Sequence, residues 1–126
     1  GRTSQALCKA AAYAAKEMLT EKVAVFTESG LMARRLSTVR SGLQTYALTQ
    51  SVDAWNQLSL IWGVKPFVHE KSDSTHGMLE IGERTLLDAQ VVEGGETLIM
   101  MAGRLSGLGL SSSVIVWTIG ERVPRR

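Results

Sequence analysis

The chain carries one cysteine, Cys8, in 126 residues. A lone thiol cannot close an internal disulfide and cannot assemble a sulfur-ligated metal site, so disulfide scaffolds and zinc-knuckle folds are excluded. Proline is almost as scarce, at two residues, and no linker or low-complexity stretch interrupts the chain. Charge of either sign is not in surplus. The formal net charge of +2 is too small for a nucleic-acid footprint. The only adjacent basic pairs, Arg34-Arg35 and Arg125-Arg126, read as a helix face and a chain end. No apolar run approaches the roughly 20 residues of a membrane span, and no leader-like segment is visible. Neither nucleic acid nor membrane is therefore an expected partner, and the cytoplasm is the expected compartment. What remains is ordinary for a globular domain: 44% apolar and 21% charged residues. The length predicts a single domain over 1–126, large enough to bury a core without staples.

Hydrophobic periodicity and turn chemistry divide the chain. Thr3 to Leu19 reads as a helix with Leu7, Ala11, Ala14 and Met18 at helical spacing, and Cys8 as a small buried side chain within it. Lys22 to Thr27 is a short apolar run, predicted to be a buried strand. Ser29 to Val39 follows as a helix capped by Ser29. Thr45 to Thr49 is a second strand. Ser51 to Trp62 is a helix with Val52, Trp55, Leu58 and Trp62 on one side, ended by Gly63. Val64 to His69 is a third strand with Pro66 early in it. Thr75 to Ala89 is a fourth helix, and Glu93-Gly94-Gly95-Glu96 is a turn. Thr97 to Ala102 is a strand, Gly103 to Leu110 a glycine-rich loop, and Ser113 to Ile119 a last strand. The alternation predicts an α/β three-layer sandwich: a five-stranded, mostly parallel sheet with helices on both faces. The last strand has no helix before it and is expected to be an antiparallel edge.

In open α/β sheets ligands sit beyond the carboxyl ends of the strands. Two loops qualify. Thr27-Glu28-Ser29-Gly30 is a strand-to-helix turn, which aims backbone N–H groups and small hydroxyls at one spot and suits an anion. The second is Gly103 to Leu110, with Arg104. A reading of both as plain turns stays open on the residues alone. Neither is a nucleotide motif: Gly107-Leu108-Gly109 leads into a strand, and no phosphate-binding Gly-x-x-x-x-Gly-Lys run exists. The Glu28 carboxylate opposes a strongly anionic ligand unless a cation such as Arg104 answers it.

No set of residues in the sequence could run a reaction. His69 and His76 read as surface or capping residues, with no metal-ligand spacing. There is no Gly-x-Ser-x-Gly elbow. Glu80, Glu83 and Asp88 share a helix with Arg84 and read as a solvated face. Met100, Met101, Trp55, Trp62 and Trp117 read as core or interface. The last strand, Val114 to Ile119, is apolar on both alternations. An uncovered edge of this kind is an aggregation hazard, so Val114, Val116, Trp117 and Thr118 are candidate interface residues, with burial inside the sheet as the competing account.

From about Thr3 to Ile119 the chain resembles the C-terminal domain of pyruvate kinase. Ala6 to Lys16 resembles the Ala-rich helix that opens that domain. Lys22-Val-Ala-Val-Phe-Thr-Glu-Ser-Gly30 with Ala33-Arg34 is similar to its strand, Thr-x-Ser-Gly turn and Ala-Arg helix. Ala47-Leu48-Thr49 looks like the end of its next strand, and Leu60-Ile-Trp-Gly-Val-Lys-Pro66 resembles its Trp-Gly-Val-x-Pro segment. Gly95-Glu96 and Ala102-Gly103 look like its Gly-Asp turn and the start of its glycine-rich loop.

The resemblance implies a five-stranded α/β domain of a homotetrameric glycolytic enzyme, which passes a phosphoryl group from phosphoenolpyruvate to ADP with magnesium and usually potassium. The catalytic residues of that enzyme lie in a separate barrel domain, so this chain is expected to hold no catalytic residue and no cofactor of its own and to be inactive alone. It also implies an allosteric site for a sugar phosphate, commonly fructose bisphosphate. There Thr27, Ser29 and Gly30 would hold one phosphate, while the loop with Gly103, Arg104, Ser106, Gly107 and Gly109 closes over the sugar. Three departures bear on this. Met32 stands where effector-binding members have a hydroxyl, Glu28 where some have lysine, and Lys71 to Met78 lacks an aromatic–arginine pair. Weak binding of the bisphosphate is expected, with a monophosphate or a purely assembling role in its place. A chain that opens directly on a helix is expected to be a piece of a larger polypeptide. A free-standing ligand- or partner-binding protein on the same fold is the other class.

Overall fold

A computed structural model describes residues 2–39, 42–103 and 113–121. Its elements run α1 (Arg2–Glu17), β1 (Lys22–Phe26), α2 (Leu31–Val39), β2 (Gln44–Thr49), α3 (Val52–Leu58), β3 (Val64–Val68), α4 (Thr75–Asp88), β4 (Thr97–Ala102) and β5 (Ser113–Thr118). They form one sheet in the order β3-β2-β1-β4-β5. β1 pairs in parallel with β2 and β4, β2 in parallel with β3, and β4 antiparallel with β5. The expected α/β architecture, with an antiparallel last edge strand, is what the chain adopts.

The handedness of crossovers places the helices. From β1 to β2 to β3 the chain steps one way across the sheet, so α2 and α3 fall on the same face. From β3 to β4 it steps back past β1, so α4 falls on the other. The two cores follow suit. Cys8, Ala11 and Ala15 of α1 join Met32, Ala33 and Leu36 of α2 and Leu58 of α3 over Val23, Val25, Ala47, Ile99 and Met101. On the opposite face Met78, Leu79 and Leu86 of α4 cover Ala24, Phe26, Tyr46, Leu48, Leu98 and Met100. β1 is buried on both sides, which is why it reads as an unbroken apolar run. The α1 stripe is rotated slightly from expectation. Cys8, Ala11, Ala12 and Ala15 are its buried centre, Leu7 and Ala14 its margin, and Met18 is exposed beyond the helix end. Burial pushes the Cys8 thiol above its ordinary pKa.

The predicted helix Ser51–Trp62 is shorter than expected. Ser51 does cap it, its Oγ accepting from Ala54 N at 3.1 Å. After Leu58, however, Leu60 N and Ile61 N reach back only three residues, to Gln57 O and Leu58 O. The tightened turn rotates the rest of the segment off the helical face. Of the four side chains expected on one side only Leu58 is buried, and Trp62 is 95% exposed.

Glu83 overturns its reading as part of a solvated face. It lies on the stripe that buries Met78, Leu79, Gly82 and Leu86. Its Oε1 accepts from Trp117 Nε1 and from Gly120 N, each at 2.9 Å. One carboxylate oxygen thus ties α4 to β5 and to the turn after it. Gly82 lets the same helix approach the sheet closely: a Cβ there would sit 2.5 Å from Phe26 Cζ.

Three stability outcomes follow from these two contacts. Glu83→Gln keeps an acceptor for both donors and should unfold in urea close to the parent protein. Glu83→Leu leaves Trp117 Nε1–H and Gly120 N–H without their shared acceptor and should lose about 1–3 kcal/mol. Gly82→Val forces an overlap with the Phe26 ring and should lose at least about 2 kcal/mol in the same assay.

Candidate functional site

β1 and β4 are neighbours at the point where the winding reverses, and Phe26 pairs with Ala102 at their carboxyl ends. The Thr27–Gly30 turn and Gly103 therefore leave the sheet side by side, at the place where open α/β sheets hold ligands. A hollow of about 160 Å³ opens there, lined by Ser4, Phe26, Thr27, Glu28, Ser29, Leu31, Met32 and Gly103. Among the candidate site residues, Thr27, Glu28, Ser29, Gly30, Met32 and Gly103 are brought to this one corner. Arg104, Ser106, Gly107 and Gly109 lie outside the described residues.

The turn is built from its own hydrogen bonds. Thr27 N continues the ladder to Leu48 O at 2.9 Å. Thr27 Oγ1 accepts from Gly30 N at 2.9 Å, and Gly30 O accepts from Arg34 N to start α2. The cap expected of Ser29 is thus carried by Thr27 and Gly30. Ser29 is exposed, with its Oγ 3.4 Å from Leu31 N. Gly30 has φ +85°, and a Cβ on it would lie 2.9 Å from Leu58 Cδ2, so the position needs glycine twice over. Helix α2 begins at this corner, Leu31 N donating to Ser29 Oγ and Arg34 N to Gly30 O, so the positive end of its dipole lies there. Met32 is buried beneath it and touches the Gly103 side, where a Cβ would lie 3.0 Å from Met32 Cε.

A larger hollow of about 350 Å³ adjoins the turn on the α4 side. Its floor is Phe26, Leu48 and Met78, and Thr27, Glu28, Thr49, Gln50, Ser51, His69 and Lys71 line its polar part. Thr49, Gln50, Ser51, His69 and Lys71 were missed in the sequence reading. The available signal was position: each follows or ends a parallel strand, as Thr27 does. His69 is not a surface residue. It is 8% exposed, its ring meets Phe26 edge-on at 5.8 Å, and its backbone N–H donates to Thr49 O. Nδ1 lies 2.9 Å from Glu70 O. A carbonyl only accepts, so Nδ1 is the donor in this contact. His76 pairs instead with Glu80 at 3.0 Å on the exposed face of α4. Among the described residues no three His, Cys, Asp or Glu side chains gather to hold a metal ion, and no helix is long and apolar enough to cross a membrane.

The interface candidates Val114, Val116, Trp117 and Thr118 lie on β5, which pairs with β4 along one edge. Val116 is 51% exposed, Thr118 Oγ1 meets Thr97 Oγ1 at 2.9 Å, and Trp117 is partly buried with its N–H taken up by Glu83.

Fold and site together define a three-layer α/β domain with a ligand-sized crevice at its switch point. The chain belongs to the pyruvate kinase alpha/beta domain family, whose model matches residues 5–116. It is similar to curated pyruvate kinases of bacteria: 32% identical to that of Sporosarcina psychrophila over 99% of this chain, 33% identical to that of Lactococcus lactis over 84%, and 32% identical to that of Mycobacterium tuberculosis over 95%. The chain spans 22%, 21% and 26% of the length of these three relatives.

The turn can be checked directly. Gly30→Ala should lower the urea midpoint by the equivalent of about 1–3 kcal/mol, from left-handed strain and the Leu58 contact. Thr27→Val, which keeps the shape but removes the acceptor for Gly30 N, should cost about 1–2 kcal/mol. A Gly30→Ala protein as stable as its parent would rule out the left-handed turn.

Proposed function

We propose that this chain serves as the regulatory and assembly domain at the C-terminal end of a pyruvate kinase, the enzyme that moves a phosphoryl group from phosphoenolpyruvate to ADP. The observation that carries the reading is the corner itself: in a chain of this family, Thr27–Gly30, the start of α2 and Gly103 converge on one hollow at the switch point. In this account the transfer step, with its magnesium and potassium, belongs to a barrel domain outside this chain, as the family resemblance implies. The chain alone is inactive in this account, and the whole enzyme works in the cytoplasm.

The ligand of the corner is an anionic effector of modest charge. Backbone N–H groups at the start of α2 supply the attraction. Met32 withholds a hydroxyl contact, and the Glu28 carboxylate sets a negative charge at the mouth. Both select a sugar monophosphate over fructose bisphosphate, with the sugar reaching toward the larger hollow beside Lys71 and Gln50. The β5 edge, with Val114, Val116, Trp117 and Thr118, supplies contact between copies in a tetramer.

Two measurements test this reading. The native polypeptide, detected in its source cells with an antibody to this domain, should run several times heavier than 13.7 kDa and show phosphoenolpyruvate-dependent ATP formation. A band at 13.7 kDa would replace the reading with a free-standing domain. Calorimetry on that polypeptide should show a sugar monophosphate binding more tightly than fructose bisphosphate; micromolar affinity for the bisphosphate would sink the selectivity. Glu28→Lys reverses one charge at the mouth and should tighten phosphate binding by about tenfold, roughly 1.4 kcal/mol.

A further inference from the structure

The larger hollow holds a group that the corner beside it does not use. His69 is 8% exposed and lines this hollow. The residue is held at three points. Phe26 meets its ring edge-on at 5.8 Å, its backbone N–H donates to Thr49 O, and Nδ1 donates to Glu70 O at 2.9 Å. Nothing among the described residues bonds Nε2. The sealed side-chain polar atoms without a partner among those residues are Arg35 Nε and Thr45 Oγ1, so Nε2 is not sealed off but open to the hollow. A buried imidazole fixed through one nitrogen and bare at the other is an unfilled hydrogen-bonding position.

The remaining walls decide what suits it. Thr27 Oγ1 accepts from Gly30 N at 2.9 Å, Thr49 Oγ1 from Ser51 N at 3.1 Å and Ser51 Oγ from Ala54 N at 3.1 Å. Each of these hydroxyls keeps its O–H to give. The charged lining is one lysine, Lys71, and one carboxylate, Glu28. Helix α4 adds little for an anion, because Gly77 N is taken by Ser74 Oγ and Met78 N by Ser74 O, each at 3.0 Å. A second phosphate here would meet Glu28 with a single lysine to offset it. A neutral polyhydroxyl body meets no such opposition. Its C–H face matches the floor of Phe26, Leu48 and Met78, and its hydroxyl edge matches the walls.

We infer that the larger hollow reads the sugar ring of the effector and that His69 is the residue that reads it, with Nε2 bonded to a ring hydroxyl. This rests on the proposed reading of the corner as a sugar-monophosphate site. It adds the residue that tells a sugar phosphate from a bare phosphate. Phe26, Thr27 and Glu28 line both hollows, so a phosphate at the start of α2 and a ring beside His69 belong to one molecule. With Nδ1 donating to Glu70 O, Nε2 accepts from the hydroxyl when the imidazole is neutral and donates to it when the imidazole is charged. A hydroxyl serves both forms.

Two probes separate the compartments on the native polypeptide: inorganic phosphate, which has no ring, and glucose 6-phosphate. By calorimetry glucose 6-phosphate should bind at least about tenfold more tightly. His69→Phe keeps a ring against Phe26 but loses both nitrogens. It should weaken glucose 6-phosphate by about tenfold and leave inorganic phosphate unchanged. His69→Gln sets an amide near the place of Nε2 and should recover most of that loss. The unaltered polypeptide gives a second readout if a variant does not fold. Glucose 6-phosphate should block acylation of His69 by diethyl pyrocarbonate, read by mass spectrometry, and inorganic phosphate should not; the exposed His76 should react throughout. Tight glucose 6-phosphate binding that His69→Phe leaves intact, or that leaves His69 open to the reagent, would overturn the role of His69 while the proposed function stands. Equal weakening of both probes by His69→Phe would make the residue a support of the fold and overturn the role too. A His69 that never reacts would do the same, since Nε2 would not open into the hollow. Failure of both probes to bind would overturn the effector reading of the corner, and this inference with it.

Discussion

The structure depends on the burial of β1 on both faces. Val23, Ala24, Val25 and Phe26 have no more than 1% exposure, so this strand must have helices above and below it and a paired strand on each side. The chain meets that demand by reversing its winding once. β2 and β3 are laid down on one side of β1 and β4 on the other, and right-handed crossovers then send α2 and α3 to one face and α4 to the opposite one. The crevice is a by-product of the same reversal. Where neighbouring strands lead to helices on different faces, their following loops diverge and leave a gap.

What fills that gap is set by close approach. Gly30 passes over Leu58, Gly82 passes over Phe26, and Gly103 lies against Met32. Each glycine removes a side chain at a place where backbone meets a packed apolar group, so the turn and α4 settle onto the sheet without displacing the core. The floor of the larger hollow, Phe26, Leu48 and Met78, is part of that same core. The hollows and the core are therefore one body.

Glu83 and His69 mark the limit of reading by composition. Both look like surface residues in sequence, because charged and titratable side chains are rarely buried without partners. Both are buried because partners arrive from remote segments. Trp117 and Gly120 reach Glu83 from β5 and the turn after it, while Thr49 of the adjacent β2 and Phe26 of β1, one strand further, receive His69. The spacing of Glu83 from Leu79 and Leu86 puts it on their stripe, while its charge points the other way. The Ser51–Trp62 segment failed for a local reason instead. A three-residue hydrogen-bond step after Leu58 is invisible to a helical period.

The sequence by itself determined the element order, the parallel sheet with its antiparallel last strand, the Thr27–Gly30 turn and the family. These rest on short-range facts: periodicity, caps, glycine at a left-handed turn, and motifs in order. Only the tertiary structure decided that Met32 and Gly103 meet Thr27, that Thr49, Gln50, His69 and Lys71 share a hollow beside it, and that Trp62 stands in solvent. Those outcomes depend on which strand ends are brought together and on how the last turn of α3 closes, and both are settled by packing between segments distant in the chain.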